Sequence, residues 1–250
     1  MRIIARLDVK NNFVIKGINF EGLRKIGDPL KLAKKYYEEK IDEIMFIDAV
    51  ASLYDRNNLF NIIDQSTKEI FCPITLGGGI RSLEDIDKAL KSGADKVAIN
   101  TAAVRNPNLI SEVSTKFGTQ CLVISIEAKN KGKSKWEVYT ECGRIPTGID
   151  VIKWAKQAEA LGAGEILLTS IDFEGTRKGF DLDLVNSVSK AVSIPVIASG
   201  GYGKLNDVNQ ILKTGCDAFA IAGCFHYSLV TVDKIKEQVR KCGFSASFNK

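Results

Sequence analysis

The second half of the chain repeats the first, and this repeat limits the possible folds more than any other feature. GADKVAINTA begins at Gly93, and the related segment GCDAFAIAGC begins at Gly215, 122 residues later. GGGI at Gly77 and SGGYGK at Ser199 are separated by the same interval. A repeat of this length is half a domain rather than one unit of a solenoid. We therefore expect two related half-structures that close a single core.

Apolar runs of strand length alternate with amphipathic stretches of helical period. Strands are predicted at residues 3–9, 43–50, 73–78, 96–100, 121–128, 165–170, 195–200 and 218–223. Helices are predicted at residues 29–39, 57–69, 82–91, 106–116, 149–160, 181–191, 204–213 and 230–240. This pattern predicts one α/β domain over residues 1–250, a (β/α)₈ TIM barrel built from two repeated half-barrels. A doubly wound open sheet is the alternative, but it does not explain the repeat. Residues 129–147 interrupt the alternation of strands and helices and predict a small hairpin or flap.

The composition narrows the class of protein. No run of about 18 apolar residues occurs, so we expect no membrane span. The start MRIIARLDV lacks a signal-peptide core, and the six cysteines have no CxxC pairing, which indicates buried thiols in a reducing cytoplasm. The net charge of +5 is spread along the chain. This charge permits binding of an anionic small molecule. The sequence has no stripe of basic residues, so we do not expect it to bind nucleic acid.

Two acidic residues end strands that lie half a chain apart. Asp8 ends the first predicted strand and Glu127 the fifth, and these strands are opposite each other in an eight-stranded ring. Active sites of such barrels lie at the carboxyl ends of the strands. The pair therefore predicts general acid–base chemistry across one pocket. The alternative for each acid is a turn cap or an ion pair with a basic neighbour.

Small residues follow four of the strands in repeat-related pairs. GGGI (77–80) and SGGYG (199–203) form one pair, and NTA (100–102) and AGC (222–224) form the other. Their backbone amides can approach a phosphate, so we expect two phosphate sites on opposite sides of the mouth. Thr169, at the end of its strand, is a further candidate for substrate contact. Lys16 in the first loop contacts the anionic ligand or is a solvated loop lysine.

Charged residues occupy the starts of four strands, at the opposite end of the predicted barrel. These residues are Arg2, Glu43, Lys96 and Glu165. They form either a stabilising ring or a polar gate at the floor. His226 is the only histidine, which argues against a metal cluster or a Ser-His-Asp triad, so no metal site is predicted.

Motifs along nearly the whole chain resemble the cyclase subunit of imidazole glycerol phosphate synthase, the HisF family. They include LDVKNNFVIKGINFEGLRKIGDP, GGGIRSLEDI, GADKVAINTAA, GAGEILLTSID, EGTRKGFD and IPVIASGG. The resemblance implies a barrel without a cofactor that forms a heterodimer with a HisH-like glutaminase subunit. Ammonia from the glutaminase crosses the barrel and reacts with a bisphosphate ribulosyl aminoimidazole, which gives imidazole glycerol phosphate and an aminoimidazole carboxamide ribotide.

The resemblance also implies roles for particular positions. Asp8 matches one catalytic acid–base residue of the family, and Glu127 stands where the family has a second catalytic aspartate. The phosphate loops include Gly79, Asn100, Thr101, Gly201 and Gly223. The family's ammonia gate matches Arg2, Glu43, Lys96 and Glu165, and Asp95 falls where the glutaminase docks.

Departures from the family pattern leave other functions open. Arg6 replaces a cysteine that is usual in the family, and strand alternation places it one layer beneath Asp8. A buried cation there needs a carboxylate partner, Glu127 or Asp8, and it narrows the path for ammonia. A second resemblance is carried by the segments ARLDVK, VASLYDRNNL and SIEAK. It is to a HisF-like paralogue that acts with a glutaminase and a sugar amidotransferase in acetamidino modification of surface glycans. A glutaminase-activating channel protein and a plain isomerase are the other hypotheses.

Overall fold

The barrel strands form a closed ring in the computed structural model, which describes residues 1–49 and 59–246. The strands are β1 (Arg2–Lys10), β2 (Phe13–Ile18), β3 (Glu21–Gly27), β4 (Glu43–Asp48), β5 (Ile74–Gly77), β6 (Lys96–Ile99), β7 (Leu122–Asn130), β8 (Trp136–Thr140), β9 (Ile145–Asp150), β10 (Glu165–Ser170), β11 (Val196–Ser199) and β12 (Ala218–Ile221). Eight of them pair in parallel in the order β1-β4-β5-β6-β7-β10-β11-β12, and β12 returns to β1. The predicted (β/α)₈ barrel is confirmed.

Helices separate the barrel strands. They are α1 (Pro29–Glu38), α2 (Phe60–Ser66), α3 (Leu83–Lys91), α4 (Thr101–Arg105), α5 (Asn108–Phe117), α6 (Val151–Ala160), α7 (Leu182–Ser189), α8 (Asn206–Ile211), α9 (Gly223–His226) and α10 (Val232–Lys241), with a 3₁₀ turn at Thr119–Cys121. The short helices α4 and α9 were not predicted, and they follow β6 and β12, which are equivalent strands of the two halves. The start of predicted helix 57–69, most of VASLYDRNNL and the last four residues lie outside the described residues.

Helix starts follow the local sequence. Asp28 caps α1 because its Oδ1 accepts a hydrogen bond from the Lys31 amide at 2.9 Å. Ser82 and Asp85 form a reciprocal capping box at the start of α3. These caps satisfy amides that have no partner within their helix, which fixes where each helix begins.

The barrel interior is layered, as β1 illustrates. Ile3, Ala5, Leu7 and Val9 of this strand pack in the core between sheet and helices. The alternate residues point inward, because successive side chains of a strand point to opposite faces. Above the charged floor lies an apolar layer formed by Ile4, Met45, Ala98, Val123, Leu167, Ile197, Ala218 and Ala220. Arg6 and Asp8 follow above it, so the layer expected for Arg6 is the one observed.

Two antiparallel hairpins extend the barrel at its mouth. β8 pairs with β7, and β9 pairs with β8, which agrees with the small hairpin expected in residues 129–147. β2 and β3 form a second hairpin on β1, which was not predicted. β1 and β7 hold equivalent positions in the two half-barrels, so each half carries its own hairpin.

The cysteines are free thiols, and no helix among the described residues is longer than 10 residues. None of the six cysteines forms a disulfide, and Cys72, Cys121, Cys216 and Cys224 are buried. In residues 1–49 and 59–246, the helices are all too short or too polar to cross a membrane.

Candidate active site

Asp8 and Glu127 face one small cavity from opposite sides of the barrel. β7 is four strands from β1 in either direction around the ring. Both carboxyl groups line a cavity of about 40 Å³, and their residues are only 7% and 9% exposed. The Gly143 amide donates a hydrogen bond to Glu127 Oε2 at 2.7 Å. Two carboxyl groups therefore flank one desolvated space, the arrangement expected from the sequence.

Arg6 crosses the lumen directly beneath the acids. Its Nε donates to Asp8 Oδ1 at 2.8 Å, which identifies Asp8 rather than Glu127 as its partner. One terminal nitrogen donates to the hydroxyls of Thr169 at 2.9 Å and Ser199 at 3.2 Å. Because Thr169 lies on β10 and Ser199 on β11, the guanidinium links three strands.

Lys16 is buried rather than solvated. Its ammonium forms an ion pair with Glu174 and lies 3.7 Å from Asp8 Oδ2. Burial lowers the pKa of Lys16 to about 8, while the Asp8 charge opposes that change. The adjacent Glu174 carboxylate also favours the charged form. Lys16 thus brings a positive charge to the mouth.

The two acids differ in protonation. Burial alone would raise the pKa of Asp8, but the charges of Arg6 and Lys16 together lower it below its ordinary value. Burial raises the pKa of Glu127 to about 7, against the opposing effects of the Gly143 amide and Arg6. Asp8 is therefore ionised at neutral pH, whereas Glu127 exchanges a proton there. Two carboxyl groups of one site with such different pKa values suit different roles, Asp8 as the base and Glu127 as the acid.

The raised pKa of Glu127 predicts a pH-dependent penalty on stability. The folded chain keeps this proton up to about pH 7, whereas the unfolded chain releases it near the ordinary value of 4.5. Stability from this group is therefore lost as pH rises through that window. We expect Glu127→Gln to gain stability over the wild type, by about 2–3 kcal/mol more at pH 8 than at pH 5. Urea unfolding at both pH values measures this.

The matched control for that experiment is Glu137→Gln in hairpin β8–β9. The Gly148 amide and Lys131 lower the pKa of Glu137, so its removal should give no such gain. An advantage of Glu127→Gln that is equal at pH 5 and pH 8 would contradict the raised pKa.

A larger cavity of about 830 Å³ opens beside the acids, over the ends of β11 and β12. Gly201 and Gly223 line it, and its charged side chains are the cations Arg6, Lys16, Arg24 and Arg177 and the acids Glu21 and Glu174. Gly201 has φ 103°, and a Cβ there would clash with the Gly179 carbonyl oxygen, so the close approach requires glycine. A glycine-lined wall in which four cations outnumber two acids suits an anionic group such as phosphate.

The second predicted phosphate site, or cradle, lies at the ends of β5 and β6 and includes Gly79, Asn100 and Thr101. Unlike the open cavity, it is covered by the protein itself. Asn100 Nδ2 donates to the Tyr139 carbonyl at 3.1 Å, and the Thr101 hydroxyl accepts from the Glu141 amide at 3.2 Å. Hairpin β8–β9 therefore rests directly on this cradle. Gly79 follows β5 with φ 71°, in the left-handed conformation of a tight turn. Asn100 and Thr101 line neither the cavity between the two acids nor the larger cavity beside it.

Four side chains close a ring at the barrel floor. Arg2 pairs with Glu43 at 2.9 Å and with Glu165 at 2.8 Å. Lys96 pairs with Glu43 at 3.2 Å and with Glu165 at 3.0 Å. Charges alternate around the ring, directly below the apolar layer. The geometry is that of a closed polar floor, which fits both the stabilising ring and the gate considered from the sequence.

Comparison with known proteins identifies the family. The family model described as histidine biosynthesis protein matches residues 2–231. A Legionella pneumophila protein named imidazole glycerol phosphate synthase subunit HisF is 58% identical over 209 residues, 84% of this chain and 99% of that protein. Proteins with the same name from Lactococcus lactis subsp. cremoris (strain SK11) and Bifidobacterium longum (strain NCC 2705) are 51% and 46% identical over 96% and 98% of this chain, and 93% and 98% of their own. This chain belongs to the HisF family.

The remaining residues considered from the sequence are Thr169, Asp95 and His226. Thr169 is fully buried beside Arg6 and does not line the described cavities, so its hydroxyl is used within the protein. Asp95 is exposed next to the floor, and its Oδ2 accepts from the Ile74 amide at 2.8 Å. His226 is buried with its Nδ1 2.7 Å from the Tyr36 hydroxyl.

Several residues of this HisF site were not singled out from the sequence. Glu174 lines both cavities and pairs with Lys16, although it is remote from Lys16 in the chain. Arg24 of β3 and Arg177 of the loop after β10 face the large cavity. Gly143 contributes only its backbone amide. Glu174 follows a predicted strand end, which was a usable signal, but the sequence around the other three residues has no distinguishing pattern.

Proposed function

We propose that this chain is a HisF-type cyclase subunit that uses ammonia to convert a bisphosphate ribulosyl aminoimidazole to imidazole glycerol phosphate. The observation that carries the proposal is the shared cavity of Asp8 and Glu127 beside a glycine-lined anion cavity. The ligand is long, with one phosphate at Gly201 and Gly223 and the other at Gly79, Asn100 and Thr101. Its reacting centre lies between the acids.

The different protonation of the two acids gives them different roles. Asp8, held ionised by Arg6 and Lys16, accepts a proton from the attacking nitrogen. Glu127, whose pKa is about 7, donates a proton to the leaving group and is recharged at neutral pH. Lys16 neutralises the adjacent ligand phosphate. Thr169 acts through Arg6 rather than on the substrate.

Ammonia enters from the opposite face in this proposal. The ring of Arg2, Glu43, Lys96 and Glu165 opens as a gate, and ammonia passes the apolar layer to reach the acids. A HisH-like glutaminase docks on this face as the partner in a heterodimer, with Asp95 at the interface. A neutral molecule such as ammonia crosses an apolar layer more readily than ammonium, because a charge there is costly to desolvate.

Turnover with ammonium salts tests the proposal without the glutaminase. The purified chain should form imidazole glycerol phosphate from the bisphosphate and an ammonium salt, with the rate increasing as pH supplies free ammonia. Adding the glutaminase and glutamine should replace the ammonium salt. An inactive wild-type chain that nevertheless binds the bisphosphate would contradict the cyclase function.

Arg6 favours a second candidate, in which the barrel delivers ammonia to another enzyme. Its guanidinium crosses the lumen and pairs with Asp8, which constrains both the acid and the path. Here the chain works with a glutaminase and a sugar amidotransferase for acetamidino modification of a surface-glycan sugar. This function predicts that stimulated glutamine hydrolysis and ammonia delivery survive Asp8→Asn, and loss of both in that variant would contradict it.

A further inference from the structure

The two hairpins at the mouth occupy equivalent places in the half-barrels but make different contacts. Hairpin β2–β3 contributes Gly17, Asn19 and Arg24 to the wall of the open cavity at the ends of β11 and β12. Hairpin β8–β9 instead bonds directly to the turn between β6 and α4, through Asn100 and Thr101. One cradle is therefore open, and the protein itself covers the other.

The hairpin brings a negative charge to the covered cradle. The Glu141 amide donates to the Thr101 hydroxyl, and the Glu141 carboxylate forms an ion pair with Arg105 of α4. Asn100 gives one amide hydrogen to the Tyr139 carbonyl of the same hairpin. A phosphate that used these groups would meet the Glu141 carboxylate and compete with it for positive charge. The backbone of the hairpin thus covers Asn100 and Thr101, and the Glu141 carboxylate holds the cation of the helix that follows them.

The turn of this hairpin is held by its surroundings. Glu141 and Cys142 have φ 53° and 57°, a left-handed conformation that side chains other than glycine and asparagine adopt rarely. Such conformations persist where neighbouring contacts fix them. Here Cys142 Sγ donates to the Ala49 carbonyl at 2.9 Å, and the Gly143 amide donates to Glu127. The covered cradle and the candidate catalytic acid are therefore linked through three consecutive residues.

We propose that Glu141 is a specificity-determining internal anion, which keeps hairpin β8–β9 on the β6–α4 turn until the second phosphate of a two-ended ligand displaces it. Displacement also removes the Gly143 amide from Glu127. A ligand with one phosphate fills the open cavity first and displaces the hairpin only at higher concentration. The inference rests on the proposed function, because it assigns the order in which the two ends of that ligand bind.

The released carboxyl group is more fully protonated at neutral pH, which is the form that a general acid needs. The hydrogen bond from Gly143 lowers the pKa of Glu127, against the larger effect of burial. Loss of that bond therefore favours the protonated form at neutral pH. The protonated fraction of Glu127 therefore increases only after both ends of the ligand are bound. In this way the hairpin couples recognition of the second phosphate to proton donation by Glu127.

Titration of the full chain with inorganic phosphate, followed by backbone amide NMR at constant ionic strength, tests the inference. We expect the amides of Gly201 and Gly223 to respond first. The amides of Glu141 and Gly143 should respond at higher phosphate, and their exchange with deuterium should become faster. Glu141→Gln should shift only the second response, to phosphate concentrations lower by up to about fivefold, the range of an exposed charge interaction.

Glu137→Gln is the matched control, because Glu137 lies in the same hairpin but bonds to Lys131 and Gly148. It should titrate like the wild type. Unchanged Glu141 and Gly143 amides at saturating phosphate, with a clear response at Gly201 and Gly223, would overturn the inference and leave the proposed function standing. An equal second response in Glu141→Gln and wild type would overturn the role of Glu141. No response at either cradle would overturn both proposals.

Discussion

Replacing Asp8 with asparagine is expected to lower ammonium-dependent turnover of the bisphosphate by about 10²- to 10⁴-fold, the usual contribution of one general acid–base group. Asparagine has nearly the same shape, so the cavity is preserved. It cannot accept the proton that an ionised carboxylate accepts, and Arg6 and Lys16 keep the wild-type group ionised. Steady-state kinetics with ammonium salts measure the loss, which should fall on kcat while KM for the bisphosphate changes little.

Asp172→Asn is the matched control. Asp172 lies in the loop after β10, is partly exposed, and pairs with Lys129 and the Asn130 amide. Its replacement should leave turnover near the wild-type value. Turnover of Asp8→Asn within a few-fold of wild type would show that Asp8 has no acid–base role, and would favour the ammonia-delivery function.

Replacing Arg6 with methionine is expected to lower the free energy of unfolding at pH 7 by about 3 kcal/mol. The substitution leaves the buried Asp8 carboxylate with Lys16 alone, and it removes the donor shared by Thr169 and Ser199. Arg6 lowers the pKa of Asp8, so its stabilising effect exists above the ordinary pKa of about 3.8 and is lost as pH falls through the lower, folded-state value. The difference from wild type should therefore shrink in acid.

Urea unfolding at pH 7 and pH 3 measures both parts of that prediction. The control is Lys129→Met, which breaks a partly exposed pair with Asp172 and should cost less than about 1 kcal/mol. An Arg6→Met loss as small as that of the control, or one that grows in acid, would contradict the account of the buried pair.

The barrel itself could be predicted because its strands are continuous apolar runs buried on both sides. Hairpin β2–β3 could not. Residues 21–25 of β3 are all exposed, so the sequence shows no alternation there. Its turn has Asn19 and Phe20 in the left-handed conformation, and phenylalanine is not a residue that marks such a turn. Hairpin β8–β9 was predicted because residues 129–147 interrupt the helix–strand rhythm.

The site was predictable where strand alternation decides it, and not where loops meet. Alternation correctly put Arg6 beneath Asp8, but only the three-dimensional arrangement selects Asp8 over Glu127 as its partner. The burial of Lys16 depends on its pairing with Glu174, 158 residues away, when hairpin β2–β3 folds over the mouth. The repeat predicted two equal cradles, whereas Glu141 makes them unequal, because contacts between a hairpin and a neighbouring turn leave no periodic signal.

A crystal structure of the chain with the bisphosphate bound tests the central claim most directly. The account predicts one phosphate on the amides of Gly201 and Gly223 and the other at Asn100 and Thr101. The reacting centre should lie within hydrogen-bonding distance of both Asp8 and Glu127. A bisphosphate bound with both phosphates away from these cradles, or with its reacting carbon out of reach of either carboxyl group, would contradict it.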